Sequence, residues 1–423
     1  MSLPLNKRSY DIFLSHSHSD AVFADLLYTW LTGVAGLKVW FDKTQLGPGS
    51  LLATDLQAAI GDCRSIILIV SGESMSKGWV RNEYNSAIDE RANNQDFRII
   101  AIKIGESNTK DLMKGTTWIE IDSPEINAKL AYGLIQGLYP SEKQLLSNRS
   151  KDLYVSCSWR PSDAAVVKTI CSQFVSFGFR LIGDSKDQAG FSNDQDRIER
   201  LIRSCGGLLA IIPFRDASSI NDPTYKYFMK EIAIAQSHNI PIAVFLDSRL
   251  NSQENETLIT SCSIDENNID PNLVSSHIER LWDEWIAPPV PHFIFCALDL
   301  ELDISKPGSM YRTVIESITG TPTIVGSEVQ GSSLHEDIAK TIEDAFLIIA
   351  DITNDNVNSC IEAGMAIMAK KFVRLISSGK NRNPPFMLRG AGQLLGYNTE
   401  ADLIGITHKI ARPFRRRVIN LEL

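Results

Sequence analysis

Two patterns of apolar and polar residues alternate along the chain. Runs of five to seven apolar residues are followed by longer segments in which apolar residues recur at helical spacing. Such runs are typical of parallel strands buried on both faces by helices, and right-handed crossovers join strands of this kind into a doubly wound sheet. The pattern therefore predicts an α/β protein.

The same series of segments occurs three times, with a period of about 140 residues. In each copy a helix that carries a glutamate follows the third strand, and a fourth strand closes the copy. The distance from the end of the first strand to this glutamate is similar in all three copies. It is 68 residues from Ser15 to Glu83, 75 from Ser156 to Glu231 and 65 from Ala297 to Glu362. The sequence thus predicts three tandem doubly wound parallel sheets, similar to flavodoxin-like and Rossmann-like folds. Ligands of such sheets bind at the carboxyl ends of the strands, where we expect each glutamate to meet its first strand.

Polar and proline-rich segments separate the copies. Residues 140–151 are polar, and residues 286–292 contain three prolines. We expect domains at 1–140, 150–285 and 290–423. The polar segment 247–272 predicts an exposed loop.

The composition, 43% apolar and 22% charged, is that of an ordinary globular protein. No run of 18 or more apolar residues occurs, and residues 1–20 lack the apolar core of a secretion signal. The seven cysteines are scattered and form no C-x-x-C pair, which argues against a zinc site or a disulfide framework. We expect a cytoplasmic protein with buried free thiols and no metal, which binds neither membranes nor DNA or RNA polymers.

Charge is unevenly distributed. The net charge is −9, yet the segment from Lys370 onward carries eleven Lys and Arg residues against three acids, so it is +8 and the remainder −17. Such a segment favours an anionic ligand or an acidic surface on another copy of the chain. A merely solvated basic face is the alternative.

Three segments of the first copy resemble, in order and spacing, the conserved boxes of Toll/interleukin-1-receptor (TIR) domains. They read YDIFLSHSHSD (10–20), VWFDKTQLGPGS (39–50) and SIILIVSGESMSKGWVRNEY (65–84). TIR domains are either scaffolds that signal by self-association or enzymes that cleave the nicotinamide–ribose bond of NAD+. The enzymes carry a glutamate on the helix after the third strand and a tryptophan four residues before it, which correspond here to Glu83 and Trp79.

The resemblance implies a site that takes NAD+ as substrate and needs no cofactor. Loss of nicotinamide leaves a ribosyl cation, which a carboxylate such as Glu83 can bind and stabilise. Trp79 and Glu83 share one helix face, so the ring can stack on nicotinamide. Backbone N–H groups after Ser15 and His16 can meet the phosphates. In the family, the loop that mediates stacking into homo-oligomers and gates the site corresponds to Asp42, Leu46, Gly47, Pro48 and Gly49.

Each of these residues also has an ordinary structural interpretation. Glu83 could be an exposed helix acid, and Trp79 could pack in the core. His16 and His18 lie in a His-Ser-His-Ser segment, which favours surface polar residues over a general base or a metal ligand.

The later copies depart from the TIR pattern. Tyr227 stands four residues before Glu231, and the second copy reads as a structural copy without catalysis. In the third, IIADITNDNVNSCIEAGMAIMAKK (348–371) resembles nucleoside 2-deoxyribosyltransferase-like proteins, which implies a nucleotide-shaped cleft around Glu362. Asn358 there replaces the aromatic residue, and no second acid is evident.

The arrangement is similar to bacterial antiviral effectors in which a TIR domain is fused to CARF- or SAVED-type sensors of cyclic oligonucleotides. By this fold-level analogy the two later modules are sensor halves, with Arg374, Arg389 and Glu362 as signal-binding residues. The hypothesis is an NAD+ hydrolase that self-associates when a cyclic oligonucleotide binds. A non-enzymatic TIR adaptor, a cyclase that makes cyclic ADP-ribose, and a third module that acts on nucleosides are the alternatives.

Overall fold

The computed structural model describes residues 8–41, 52–72, 79–105, 118–139, 148–158, 160–183, 195–214, 223–250, 261–265, 268–285, 291–298, 309–329, 333–379, 383–391, 394–416 and 418. For residues 52–55, 79–82, 195–197, 223–225, 261, 281–285 and 391 it describes the backbone only.

The first sheet is parallel and has the strand order β2-β1-β3-β4-β5. Its strands are β1 Tyr10–Ser15, β2 Val39–Phe41, β3 Cys63–Val70, β4 Arg98–Ile104 and β5 Trp118–Ile121. Its helices are α1 Ala21–Thr29, which continues as a π-helical turn Trp30–Val34, α2 Leu52–Gly61, α3 Trp79–Asn93 and α4 Ala128–Leu138. The central strands β1 and β3 are almost wholly buried, which explains their unbroken apolar runs.

The second and third sheets repeat this strand order. The second contains β6 Asp152–Ser156, β7 Arg180–Ile182, β8 Gly207–Ile212, β9 Ile242–Asp247 and β10 Ser261–Ile264, with α5 Ala164–Ser176, α6 Gln195–Arg203, α7 Pro223–Ser237 and α8 Pro271–Trp285. The third contains β11 Ile294–Ala297, β12 Thr323–Val325, β13 Leu347–Asp351, β14 Phe372–Ser378 and β15 Leu394–Tyr397, with α9 Met310–Thr319, α10 Leu334–Asp344, α11 Val357–Met368 and α12 Glu400–Ala411. The predicted fold, three tandem doubly wound parallel sheets, is confirmed.

Each sheet has a fifth strand that the sequence pattern did not predict. These strands are only four residues long and lie at a sheet edge: β5, β10 and β15. Strand β10 lies inside the segment 247–272, so the prediction of a loop throughout that segment was wrong. In this strand Cys262 and Ile264 are buried and Ser263 between them is exposed, and such short alternation gives a weak signal.

The chain divides into two compact units. The first unit contains the first and third sheets, and the second unit contains the second sheet together with residues 416 and 418. Within the first unit one apolar core includes residues of both modules, among them Leu31, Leu130 and Leu134 of the first and Val314 and Ile404 of the third. The first and third copies are therefore joined by a shared hydrophobic core.

Helix α12 of the third module packs on α4 and on the π-helical turn of the first. Most of its residues are buried, a pattern typical of a helix covered on all sides. A Cβ atom on Gly405 would lie 2.9 Å from side-chain atoms of both Trp30 and Val34. Only glycine lets α12 approach the first module this closely.

Hydrogen bonds of two residues, His408 and Arg412, also join the two modules. The imidazole of His408 lies with Nδ1 2.7 Å from the carbonyl oxygen of Ala35 and with Nε2 3.0 Å from the Tyr139 hydroxyl. Because a carbonyl only accepts, Nδ1 carries the proton and Nε2 accepts from Tyr139. Arg412 donates two hydrogen bonds to the Asp11 carboxylate, of 2.8 and 3.1 Å. Burial, and secondarily the charge of Arg412, lowers the pKa of His408 to about 3.

Replacing His408 by glutamine is expected to make the first unit less sensitive to acid. Below about pH 6.5 the unfolded chain binds a proton at His408 that the folded protein does not, so wild-type stability falls as the pH falls towards 3. A glutamine amide can keep both hydrogen bonds but does not titrate. As the pH is lowered, the free energy of unfolding should fall more steeply in the wild type than in His408→Gln, with slopes that differ by up to about 1.4 kcal/mol per pH unit. Denaturant titrations between about pH 7.5 and 5 measure this difference, and parallel curves would contradict it.

Candidate active site of the first module

The predicted glutamate and the end of the first strand meet in the first module. Ser15, the last residue of β1, donates a hydrogen bond from Oγ to Oε2 of Glu83 on α3. Both side chains are buried, Ser15 with 1% and Glu83 with 5% of its surface exposed. A carboxylate so buried needs hydrogen-bond donors, and Ser15 is one of them. Glu83 is therefore not an exposed helix acid.

Helix α3 places Glu83 by packing on the sheet beside it. Tyr84 and Ala87 are buried in the core against Phe13, Ile66 and Leu68. Strand β3 is the neighbour of β1 in the sheet, with Ser15 in register with Leu68. The carboxyl ends of these two parallel strands lie at one edge of the sheet, which is where Glu83 is held.

A second polar network lies at this edge and was missed in the sequence. The Asp20 carboxylate accepts hydrogen bonds from Ser17 Oγ at 2.6 Å and from Ser71 Oγ at 3.1 Å. Ser71 directly follows β3, so Asp20 ties the segment after β1 to the segment after β3. The signal was present, because Asp20 closes the first box and Ser71 lies in the third.

The two histidines of the first box differ in their surroundings. His16 is half-buried, with its ring centroid 5.1 Å from that of Phe41 on β2. His18 is exposed and starts the helical turn that leads into α1. His16 thus adjoins Ser15 at the site, whereas His18 has the character of a surface residue.

Several predicted residues lie outside the described part of the chain. For Trp79 only the backbone is described, as the first residue of α3, so Trp79 and Glu83 are one helical turn apart. Asp42, Leu46, Gly47, Pro48 and Gly49 are not among the described residues. Their roles in substrate binding and assembly stay predictions.

The second module holds its glutamate differently. Glu231 on α7 accepts a hydrogen bond of 2.7 Å from the Tyr154 hydroxyl in the middle of β6. Ser156, the counterpart of Ser15, has a buried Oγ that forms no hydrogen bond within the described part of the chain. Tyr227 is exposed. The serine–glutamate contact of the first module is therefore not repeated here.

The third module brings two carboxylates to the carboxyl edge of its sheet. Glu362 Oε1 lies 3.0 Å from the place where a Cβ on Gly326, just after β12, would stand. Burial raises the pKa of Glu362 to about 7. Asp351, the last residue of β13, accepts hydrogen bonds from the Tyr397 hydroxyl at 2.6 Å and the Thr353 amide at 2.9 Å. Asp351 is an acid that the sequence pattern did not single out, although it ends the strand LIIAD.

The two arginines predicted to bind the signal, Arg374 and Arg389, differ from each other in their surroundings. Arg374 lies in the amino-terminal half of β14, with its guanidinium 5.5 Å from the ring centroid of Phe414. Arg389 is exposed, in the helical turn Phe386–Ala391, with its guanidinium 5.9 Å from the Phe386 ring. The structure thus places Arg389 where a ligand can reach it, while Arg374 contacts an aromatic ring of the core.

The described residues hold neither a metal cluster nor a membrane-spanning helix. No group of three or more His, Cys, Asp or Glu side chains is arranged to hold a metal ion in that part of the chain. Among the helices described, none has both the length and the apolar character needed to cross a bilayer.

Comparison with known proteins agrees with the geometry of the first module. The sequence profile described as TIR domain matches residues 12–131. The NAD(+) hydrolase PdTIR of Paracoccus denitrificans (strain Pd 1222) is 35% identical over 75 residues, which are 18% of this chain and 25% of that protein. The chain therefore spans about a quarter of the length of this relative.

Two solved structures align loosely. A metazoan TIR-STING receptor from C. gigas, in complex with 2′,3′-cGAMP, aligns over 66% of this chain and 97% of its own, with 13% identity and a TM-score of 0.25. The GsuK RCK domain aligns over 97% of this chain and 77% of its own, with 11% identity and a TM-score of 0.16. The profile match over residues 12–131 identifies the first module, with its five-stranded parallel sheet, as a TIR domain.

Proposed function

We propose that the TIR domain cleaves the nicotinamide–ribose bond of NAD+, with Glu83 as the catalytic residue. The observation that carries the proposal is the buried Glu83 carboxylate, held by Ser15 at the carboxyl edge of the sheet. Doubly wound sheets bind ligands at this edge. The similarity to an NAD(+) hydrolase over 75 residues supports the same chemistry.

The reaction needs little beyond a well-placed carboxylate. As the C–N bond to nicotinamide breaks, its electron pair leaves with the nicotinamide and positive charge develops on the ribose. Glu83, shielded from water, stabilises that charge. Water then adds to the ribose carbon and releases a proton, giving ADP-ribose and nicotinamide. Trp79, one turn before Glu83, would stack on the nicotinamide ring.

We propose further that the activity is switched on by a nucleotide signal and by self-association. The shared core of the first and third modules supports this idea, because a ligand that shifts α12 would act directly on the TIR domain. A cyclic oligonucleotide that binds near Glu362 is the proposed signal. Stacking of TIR domains through the loop around Leu46 is the proposed assembly.

NAD+ turnover by the purified full-length chain tests the proposal. The rate is measured by product chromatography, alone and with a panel of cyclic di- and trinucleotides. The full chain is needed because a protein ending near residue 150 would lack α12 and expose Leu130, Leu134 and their neighbours. No cleavage under any of these conditions would favour the non-enzymatic adaptor. Cyclic ADP-ribose as the main product would favour the cyclase.

Replacing Arg389 by alanine is expected to raise the activator concentration for half-maximal turnover. Loss of one charge-assisted contact to a phosphate costs about 1.5–3 kcal/mol, or roughly ten- to more than a hundredfold in affinity. The maximal rate should stay near that of the wild type. The exposed Arg280 in the second unit provides a matched surface control, Arg280→Ala. Equal activator curves for Arg389→Ala and the wild type would remove Arg389 from the signal site.

A second candidate function rests on the carboxylates of the third module. Glu362, with a pKa of about 7, can be protonated at neutral pH, and Asp351 is fixed by Tyr397 and Thr353. Two acids at one sheet edge are suited to chemistry at a glycosidic bond. Release of free base from a nucleoside, lost in Glu362→Gln but kept in Glu83→Gln, would assign that activity to the third module.

A further inference from the structure

The amino-terminal edge of the second sheet carries a buried cluster of charges. Asp152, the first residue of β6, has no exposed surface. Arg180, its partner in register on β7, donates from Nε to Oδ1 of Asp152 at 2.5 Å. Arg416 donates from Nη2 to Oδ2 of the same carboxylate, and its side chain is also fully buried. One carboxylate is thus shared by two guanidinium groups.

Further cationic character surrounds this pair. Arg149 donates from Nη1 to the carbonyl oxygen of Arg203 at 2.7 Å. His292 is buried, and its pKa lies well below the usual value because of burial first and then the charges of Arg416, Arg149 and Arg180. The guanidinium groups of Arg416, Arg149 and Arg180 thus lie close enough to His292 to disfavour its charged form, in addition to burial.

Arg416 has donor capacity left over. Its Nε and Nη1 atoms are buried and find no hydrogen-bond acceptor within the described part of the chain. An arginine offers five N–H donors in a fixed fork, and buried donors without an acceptor lose free energy relative to water. The side of the Arg416 fork that does not face Asp152 is therefore suited to an anionic acceptor.

The first module provides a contrast at the equivalent position. Asp11 in YDIFLS corresponds to Asp152 in KDLYVS, four residues before the strand-ending serine in each case. Asp11 binds a single arginine, Arg412, through both carboxylate oxygens. The ratio of one arginine to one aspartate in the first copy becomes two to one in the second. The first module folds with one arginine on this aspartate, so the second arginine on Asp152 is not needed to form the sheet.

We propose that Arg416, together with Arg180 and Arg149, forms a binding site for a phosphate group in the second unit. A guanidinium fork matches two phosphate oxygens, and the phosphate charge offsets the excess of arginine over aspartate. The site lies at the amino edge of the second sheet, whereas Ser156 and the proposed ligand cleft of that module belong to its carboxyl edge. The signal site proposed above, near Glu362, belongs to the third module in the other unit. Inorganic phosphate and the phosphate of a nucleotide are the two sources.

Calorimetric titration of the full-length protein in phosphate-free buffer tests the site. Inorganic phosphate, ADP-ribose and a cyclic dinucleotide are titrated separately, and the thermal unfolding of each mixture is recorded. We expect saturable binding of at least one of them and a rise in the melting temperature. Arg416→Met should weaken that binding roughly ten- to a hundredfold. Arg412→Met, which breaks the one-to-one ion pair of Arg412 with Asp11 in the first module, should leave the affinity for the titrant unchanged.

The three titrants identify the source of the phosphate. Binding of inorganic phosphate that is lost in Arg416→Met supports a free-anion site. If ADP-ribose or the cyclic dinucleotide binds but inorganic phosphate does not, and this binding is lost in Arg416→Met but kept in Glu83→Gln, the result supports a nucleotide site separate from the active site. If Arg416→Met does not fold, Arg416→Lys takes its place, since lysine keeps the charge but loses the fork. Failure of all three titrants to bind the wild type, or equal affinities in wild type and variant, would overturn the proposal.

Discussion

Replacing Glu83 by glutamine is expected to lower the rate of NAD+ cleavage by about 10²–10³-fold. Glutamine keeps the shape of the side chain and can still accept the hydrogen bond from Ser15. It removes the negative charge that stabilises the developing ribosyl cation, and that charge is most effective in a buried position. The rate of nicotinamide release under single-turnover and steady-state conditions measures the effect.

A matched variant separates this effect from damage to the helix. Asp89 is an exposed acid on the same helix α3, and Asp89→Asn makes the same change of charge away from the site. Asp89→Asn should cleave NAD+ at the wild-type rate, and both variants should show the wild-type melting temperature within a few degrees. Near-normal cleavage by Glu83→Gln would remove the catalytic assignment.

Replacing Arg412 by methionine is expected to destabilise the first unit by about 3 kcal/mol. Removing one partner of a buried ion pair costs about 3–5 kcal/mol, because the other charge is left buried without compensation. The Asp11 side chain is 6% exposed and that of Arg412 19%, which places the effect at the lower end. Denaturant unfolding, followed in the transition that includes the first unit, measures it.

The double variant Asp11→Asn with Arg412→Met distinguishes lost charge from lost packing. An asparagine in place of Asp11 has no charge to leave unpaired, and its amide oxygen can still accept the hydrogen bond that Asp11 receives from the Lys38 amide. The double variant should therefore be more stable than Arg412→Met alone. A stability of the single variant Arg412→Met within about 1 kcal/mol of the wild type would show that the pair is not a stability determinant.

The sequence predicted the sheets well because their central strands are buried on both faces. Strands such as β3, which ends in the apolar run Ile-Ile-Leu-Ile-Val, give a signal that no surface element gives. The edge strands escaped prediction because they are short and only partly buried. All four residues of Leu394–Tyr397 are half-buried, and in Trp118–Ile121 only Ile121 is buried. Local patterns lose information where burial is partial.

The candidate site was predictable only in part. Glu83 and Ser15 were found through their distance in the repeat and the TIR boxes, and the structure joins them by a hydrogen bond. Asp20 and Asp351 were missed, although Asp20 closes the first box and Asp351 ends β13, because a single aspartate has no periodicity to mark its role. Their roles depend on hydroxyl donors remote in sequence, such as Ser71 for Asp20 and Tyr397 for Asp351.

The pairing of modules was not predictable either. The repeat treats all three copies alike, yet the first and third share a core and the second forms a separate unit. The basic segment illustrates the same limit. Its charge suggested a ligand surface, whereas Arg412 and Arg416 bind aspartates at the start of β1 and β6. Net charge does not reveal which acid a buried arginine will meet.

The place of α12 in the shared core also sets the earliest time at which the first unit can finish folding during synthesis on the ribosome. The last helix of the TIR domain ends at Leu138, and the helix that covers it begins at Glu400. At about 5–20 residues per second, the roughly 260 intervening residues take about 13–50 s to synthesise. Throughout that time the nascent TIR domain lacks the cover over α4 and the arginine that neutralises Asp11. A complete first unit is therefore reached only after α12, which ends at Ala411, and the Arg412 that follows it have been synthesised.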